Sequence, residues 1–128
     1  MEFRDNQAIY MQIADLMCDN VLSGTWTPGA RIPSIRETAE ASQVNPNTVM
    51  RTYSYLEERG IIRNQRGVGF FLSDDAFSIT RALKKQTFET RDLPRMFRVM
   101  DLLRIGFDEL RGIYDAHHSA GAGKETTP

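Results

Sequence analysis

Side chains able to read the edge of a base pair stand together between positions 47 and 51. Asn47, Thr48 and Arg51 place a carboxamide, a hydroxyl and a guanidinium within a few residues of one another. Asn pairs with adenine, Arg with guanine, and Thr serves several edges or a phosphate. A second set follows at Arg66, Gly67 and Gly69. Glycines beside an arginine let the guanidinium lie close to a phosphate backbone or enter a narrow minor groove. Taken singly, the first set also describes the solvated face of an ordinary helix, and the second a solubilising charge on a hairpin tip. The elements that carry them decide between these readings.

Two short helices and a hairpin are predicted over Arg31–Leu72. Ser34 and Glu37 form an S-x-x-E capping box, with Pro33 just outside it. Ile35, Ala39 and Ser42 give that helix a weak inner face, and Gln43-Val44 breaks the period. Asn45 then caps a second helix, with Pro46 at the first helical position, where its missing N–H costs nothing. Val49, Tyr53 and Leu56 fall at i, i+4 and i+7 and face the core. This leaves Asn47, Thr48 and Arg51 outward, in the N-terminal turns that a recognition helix presents to a major groove. Gly60 ends the helix. Ile61–Gln65 and Phe70–Leu72 flank Arg66-Gly67-Val68-Gly69, a hairpin whose strands place at least one of Phe70 and Phe71 on the core. Between Arg59 and Leu72 there are three arginines and no acidic residue.

This succession resembles the winged-helix DNA-binding domain of the GntR family of bacterial regulators. The resemblance runs from about Ile9 to Leu72, through IYMQIADLM, LSGTWTPGARIPSIRETAE, VNPNTVMRTYSYLEERGII and RGVGFFL. It implies that Arg36, the arginine of the P-S-x-R-E run, contacts DNA, as do Asn45 and the other residues opening the recognition helix and the wing tip; Ser34, at the start of the first helix, is read separately as a phosphate contact. Many members carry arginine where Pro46 and Met50 stand here, a difference that bears on the operator sequence. Gln43 replaces a usual glycine, and a left-handed backbone there would cost roughly 1 kcal/mol. The VNPNTV form is similar to the YtrA-type subgroup, whose members have a short helical tail. The family implies a repressor, often of transporter operons, and identifies no effector; a small-molecule effector is possible.

The rest of the chain supplies scaffold and a second element. Asp5 or Asn6 can cap a first helix with Ile9, Ile13, Leu16, Met17 and Val21 on one face, stopped by Gly24. Trp26 covers the edge of the core, and Met11, Met17 and Cys18 are packing residues. After Ser73-Asp74-Asp75 a helix is predicted over Ala76–Thr87, with Phe77, Thr80, Leu83 and Thr87 aligned and Lys84-Lys85 solvated. A break is expected at Thr90-Arg91-Asp92, with Asp92 as the next N-cap. Leu93, Met96, Met100, Leu103, Phe107, Leu110 and Tyr114 then recur at spacings of 3 and 4, a heptad seam that wants a partner helix. Phe97 widens it, and the resemblance places a break near Ile105-Gly106. The seam predicts a homodimer; the other readings are packing within one subunit or a ligand pocket.

The expected architecture is therefore mainly α with a small β-hairpin wing. A winged helix-turn-helix spans 1–73, a helical dimerisation element 74–117 and a disordered tail 118–128.

Composition bounds the alternatives. The chain has 128 residues, 41% hydrophobic, enough for a modest core. Sixteen basic and seventeen acidic residues give a net charge of −1, so basicity is local rather than global. One Cys excludes an intramolecular disulfide and fits a reducing cytosol. With no membrane-length apolar run and no signal-peptide core, a soluble cytoplasmic protein is expected. His117 and His118 are adjacent, a poor metal pair, and no phosphate loop or catalytic set is present, so neither enzyme chemistry, metal nor cofactor is expected. Double-stranded DNA bearing an inverted repeat is the expected partner. A winged helix used for protein or RNA contacts is the competing class, and RNA would ask for exposed stacking aromatics.

Overall fold

The computed structural model describes residues 7–124, with side chains as far as 121. Its elements are α1 (Ile9–Leu22), α2 (Ile35–Ser42), α3 (Pro46–Glu58), β1 (Ile62–Gln65), β2 (Gly69–Leu72), α4 (Ala76–Thr87), a π-helical turn (Phe88–Asp92), α5 (Leu93–Leu103) and α6 (Phe107–Lys124).

The core of the first unit forms where α1 crosses α3. Ile13, Met17 and Val21 are buried as their spacing predicts, joined by Ala14 and Cys18, while Ile9 and Leu16 stay exposed. The buried stripe is thus turned toward Ala14 and Cys18, whose small side chains let α3 approach. Ala8, not Asp5 or Asn6, holds the position before α1, and it makes no side-chain cap; Asp5 and Asn6 lie outside the described residues. Val49, Tyr53 and Leu56 of α3 meet Ile61, Ile62 and Leu72 from the hairpin and Ile32 from the preceding loop. An aliphatic side chain enclosed in this way contributes about 1.5–3 kcal/mol.

The hairpin pairs Ile62 with Leu72, Arg63 with Phe71, Asn64 with Phe70 and Gln65 with Gly69. A third segment, Ala30–Ile32, pairs antiparallel along the other edge of β2: Ile32 N–H donates to Phe70 O and Leu72 N–H to Ala30 O, both at 2.9 Å. No sequence signal announced this pairing.

Helix α4 has the expected bounds and, apart from Phe77, the expected inner face. Ala76 and Thr80 are buried, with Ile79 and Leu83 packed beside them, whereas Phe77 is 50% exposed. Alanine lets α4 lie against the core at a distance a phenylalanine would prevent. Lys84 is held at 2.8 Å by Asp15 of α1 instead of being solvated alone. Because Ala76 and Thr80 belong to this core, the first unit ends at Lys85 and the second begins at Gln86, later than the boundary expected at 73.

The break expected at Thr90–Asp92 is absent. Asp92 keeps helical angles and forms no side-chain cap. Pro94 offers no N–H to the carbonyl of Thr90 and crowds it, and the wider π turn relieves both.

In the second unit, considered by itself, α5 stops at Arg104, which adopts a left-handed φ of 58°. Ile105 N–H then closes on Met100 O at 2.9 Å, and α6 restarts at Phe107. No residue of α5 is buried. Helix α6 runs to Lys124, through part of the tail expected to be disordered from 118; Ala116, Ala120 and Ala122 favour helix there, and positions 125–128 lie outside the described residues. Among the described residues, no helix is long and apolar enough to cross a membrane.

Candidate nucleic-acid interface

Helix α2 begins with the full capping box. Ser34 Oγ accepts from Glu37 N–H at 3.1 Å, and the Glu37 carboxylate accepts from Ser34 N–H at 3.0 Å. Hydrogen bonding to Ser34, through its backbone and then its side chain, holds the Glu37 carboxyl below the ordinary carboxylate value. Arg36 is exposed one residue into the helix. Gln43 then takes φ 55°, ψ 46°, the left-handed turn between the two helices.

Helix α3 starts at Asn45, whose Oδ1 accepts from Asn47 N–H at 2.8 Å. That oxygen is spent on the cap, so only the Asn45 amide N–H groups remain for a phosphate. Asn47, Met50, Arg51 and Ser54 are exposed, and Thr48 is half-buried. In the sequence Met50 stands out only for the arginine it replaces, and Ser54 was missed by sequence reasoning. Asn47, Arg51 and Ser54 stand at i, i+4 and i+7, opposite the buried stripe, and that period was available to find Ser54.

Contacts on either side fix α3. On the α1 side, Thr52 Oγ1 donates to Tyr10 O at 2.7 Å, and the Arg51 guanidinium lies over the Tyr10 ring. On the α2 side, Tyr53 Oη donates to Pro33 O at 2.6 Å and lies 2.8 Å from Thr38 Oγ1. The Tyr53 ring also meets Phe70 of β2 edge-on, centroids 4.9 Å apart. One residue therefore joins the entry to α2, the middle of α3 and the wing. Burial raises its phenol pKa, so it stays a neutral donor.

The wing turns through Arg66, Gly67 and Val68, closed by Val68 N–H to Gln65 O at 2.8 Å. Arg66 is exposed, and Gly67 has a left-handed φ of 76° in open space, so its glycine serves the turn itself. Gly69, at φ 145°, is crowded instead: a Cβ there would sit 2.9 Å from Arg31 Nε. Arg31, absent from the sequence-derived set, thus belongs to the wing. Of the expected aromatics, Phe70 faces the core and Phe71 the other side.

The apolar seam is largely uncovered. Leu103, Phe107 and Tyr114 are more than half exposed, as are Val99, Leu102 and Ile113 beside the seam; Phe97 is half exposed, Met96 less so, and Leu93, Met100 and Leu110 are half-buried. Tyr114 stacks on His118 at 4.0 Å, and no cluster of metal-ligating side chains exists among the described residues. Cys18 is buried, and burial pushes its thiol up to about 11.

With this geometry in view, the comparisons with known proteins agree. The model of the family described as "Bacterial regulatory proteins, gntR family" matches residues 9–72. The uncharacterised HTH-type transcriptional regulator YhcF of Bacillus subtilis is 39% identical over 88 residues, 69% of this chain and 73% of that protein. The HTH-type transcriptional repressor YtrA of the same organism is 42% identical over 73 residues, 57% of this chain and 56% of that protein. A crystal structure of a GntR-family regulator from Bacteroides thetaiotaomicron superposes with a TM-score of 0.73 at 38% identity, covering 89% of this chain and 99% of the other.

Proposed function

Because the chain belongs to the GntR family and is a DNA-binding transcriptional regulator, we propose that it acts as a cytoplasmic homodimeric repressor on an inverted-repeat operator. Helix α3 enters the major groove, where Asn47 and Arg51 take base edges and the exposed Met50 meets a thymine methyl. Ser34, Arg36, Asn45 and Thr48 engage phosphates and set the register. Arg66, with Gly67 and Gly69, carries the wing to the neighbouring minor groove. The seam of Leu93, Met96, Phe97, Met100, Leu103, Phe107 and Leu110 is covered by a second copy, and the two-fold axis so created makes the operator palindromic.

The observation that supports this reading best is the joint at Tyr53. It ties the three basic or polar elements to one another, as a duplex-reading head requires. The likeness to the YtrA repressor supports the regulatory sign.

Selection of an operator from random duplex DNA tests it. Enrichment of a two-fold symmetric site, bound by a dimer in sedimentation analysis, is the expected result. A strictly monomeric protein, or one that enriches no duplex, refutes it.

A further inference from the structure

The alternation along the wing gives its sheet two unlike faces. Ile32, Ile62 and Leu72 are buried against the core, and Phe70 meets Tyr53. The residues between them point the other way. There Phe71 stands in the middle of a row, with Arg63 opposite it on β1 and Arg31 opposite it on the third segment. The Arg63 guanidinium sits 5.3 Å from the Phe71 ring centroid. The Arg31 guanidinium runs diagonally toward the wing tip, across Gly69, where a Cβ would come within 2.9 Å of its Nε and push it aside. Both arginines are exposed, and among the described residues neither forms an ion pair.

We propose that Arg31 and Arg63, held apart by Phe71, form a second phosphate-binding site on the outward face of the wing. This site takes the DNA backbone flanking the minor groove that Arg66 approaches. The proposal rests on the reading that the wing meets DNA, and extends it to a face that sequence alone left out. Three features favour a duplex backbone as the occupant. The two guanidinium forks match phosphate oxygens, and among the described residues neither is ion-paired, the Glu37 carboxylate acting on Arg31 only at longer range. The face is continuous with the basic wing loop. The intervening ring is half-buried and presents its apolar surface between two cations, so it positions them without offering a base-stacking platform.

The test uses the full chain and its selected operator. Deleting one phosphate-bound cation should lower the slope of log affinity against log salt by about 0.9. Because the substitution is carried by both copies of the proposed dimer, Arg31→Gln and Arg63→Gln are each expected to lower it by about 1.8, and the double variant about twice as much. Arg31→Lys and Arg63→Lys, which keep the charge, should retain most of the slope, separating charge from misfolding. Hydroxyl-radical footprints of the double variant should show an unprotected backbone at the outer flank of each half-site while the central bases stay protected. A double Gln variant with the wild-type slope and an intact flank would overturn the proposal while leaving the proposed function standing. A wild-type protein that shows no salt-dependent binding to any duplex removes the proposed function, and this site with it.

Discussion

The Arg51 guanidinium lies 3.9 Å from the centroid of the Tyr10 ring. The contact joins the exposed face of α3 to the first turn of α1. A ring beneath a guanidinium restricts its rotamers before any ligand arrives, so less freedom is lost on binding. Arg51→Ala is expected to lower specific operator affinity by about 1–3 kcal/mol. Tyr10→Ala should cost less, about 0.5–1 kcal/mol, and Tyr10→Phe almost nothing, because the face of the ring is kept. Thr52 bonds to the Tyr10 carbonyl, so these side-chain changes leave the helix packing in place. Anisotropy titrations against the operator measure all three; equal affinities for Tyr10→Ala and wild type would show that the ring does not prepare Arg51.

Tyr53→Phe keeps the ring and deletes the hydroxyl that reaches Pro33 O and Thr38. A part-buried carbonyl is then deprived of its donor, at about 1–3 kcal/mol. Urea unfolding should show that decrease with an unchanged m-value. Operator affinity should fall as well, since the hydroxyl sets where α2 begins relative to α3.

Gln43 occupies left-handed backbone, φ 55°. Gln43→Gly removes a steric cost of roughly 1 kcal/mol and returns part of it as unfolded-chain entropy. Thermal melts should report a net gain of about 0.5–1 kcal/mol. A decrease would mean that the Gln43 side chain contributes more than its backbone costs.

Cys18 gives the fold an alkaline weakness. In the unfolded chain the thiol ionises near its ordinary 9.0, but in the folded protein not until about 11. The folded pKa is raised, so this contribution is fully present below pH 9 and is lost as pH climbs through that window. The decrease reaches about 2–3 kcal/mol at the upper end. Tyr53, also raised by burial, acts in the same direction. Cys18→Ala should therefore lose less stability than wild type between about pH 9 and 11, measured by denaturant titration at each pH.

The parts of the head that could be read from sequence are those decided locally. Ser34 with Glu37 and Asn45 with Pro46 announce helix starts within four residues, and each forms as expected. Gln43 was legible for the same reason. What escaped depends on residues far apart in the chain. Arg31 reaches Gly69 only because an unsignalled strand pairs with β2, and Tyr10 reaches Arg51 only because α1 crosses α3. Phe77 was placed inward by a helical period that Thr80 and Leu83 obey, since pattern alone does not show that Ala76 is what the core admits at the start of the helix. Asp92 had the chemistry of a cap, but Pro94 is accommodated by a π turn instead of a new start.

Tyr53 leaves little play inside the head. Whatever displaces α3 must carry the mouth of α2 and the root of the wing along with it. A signal that releases such a protein from its operator would gain little by bending any single piece. In the proposed homodimer, the variable left to it would be the span between two such heads, matched or mismatched to the pitch of the double helix.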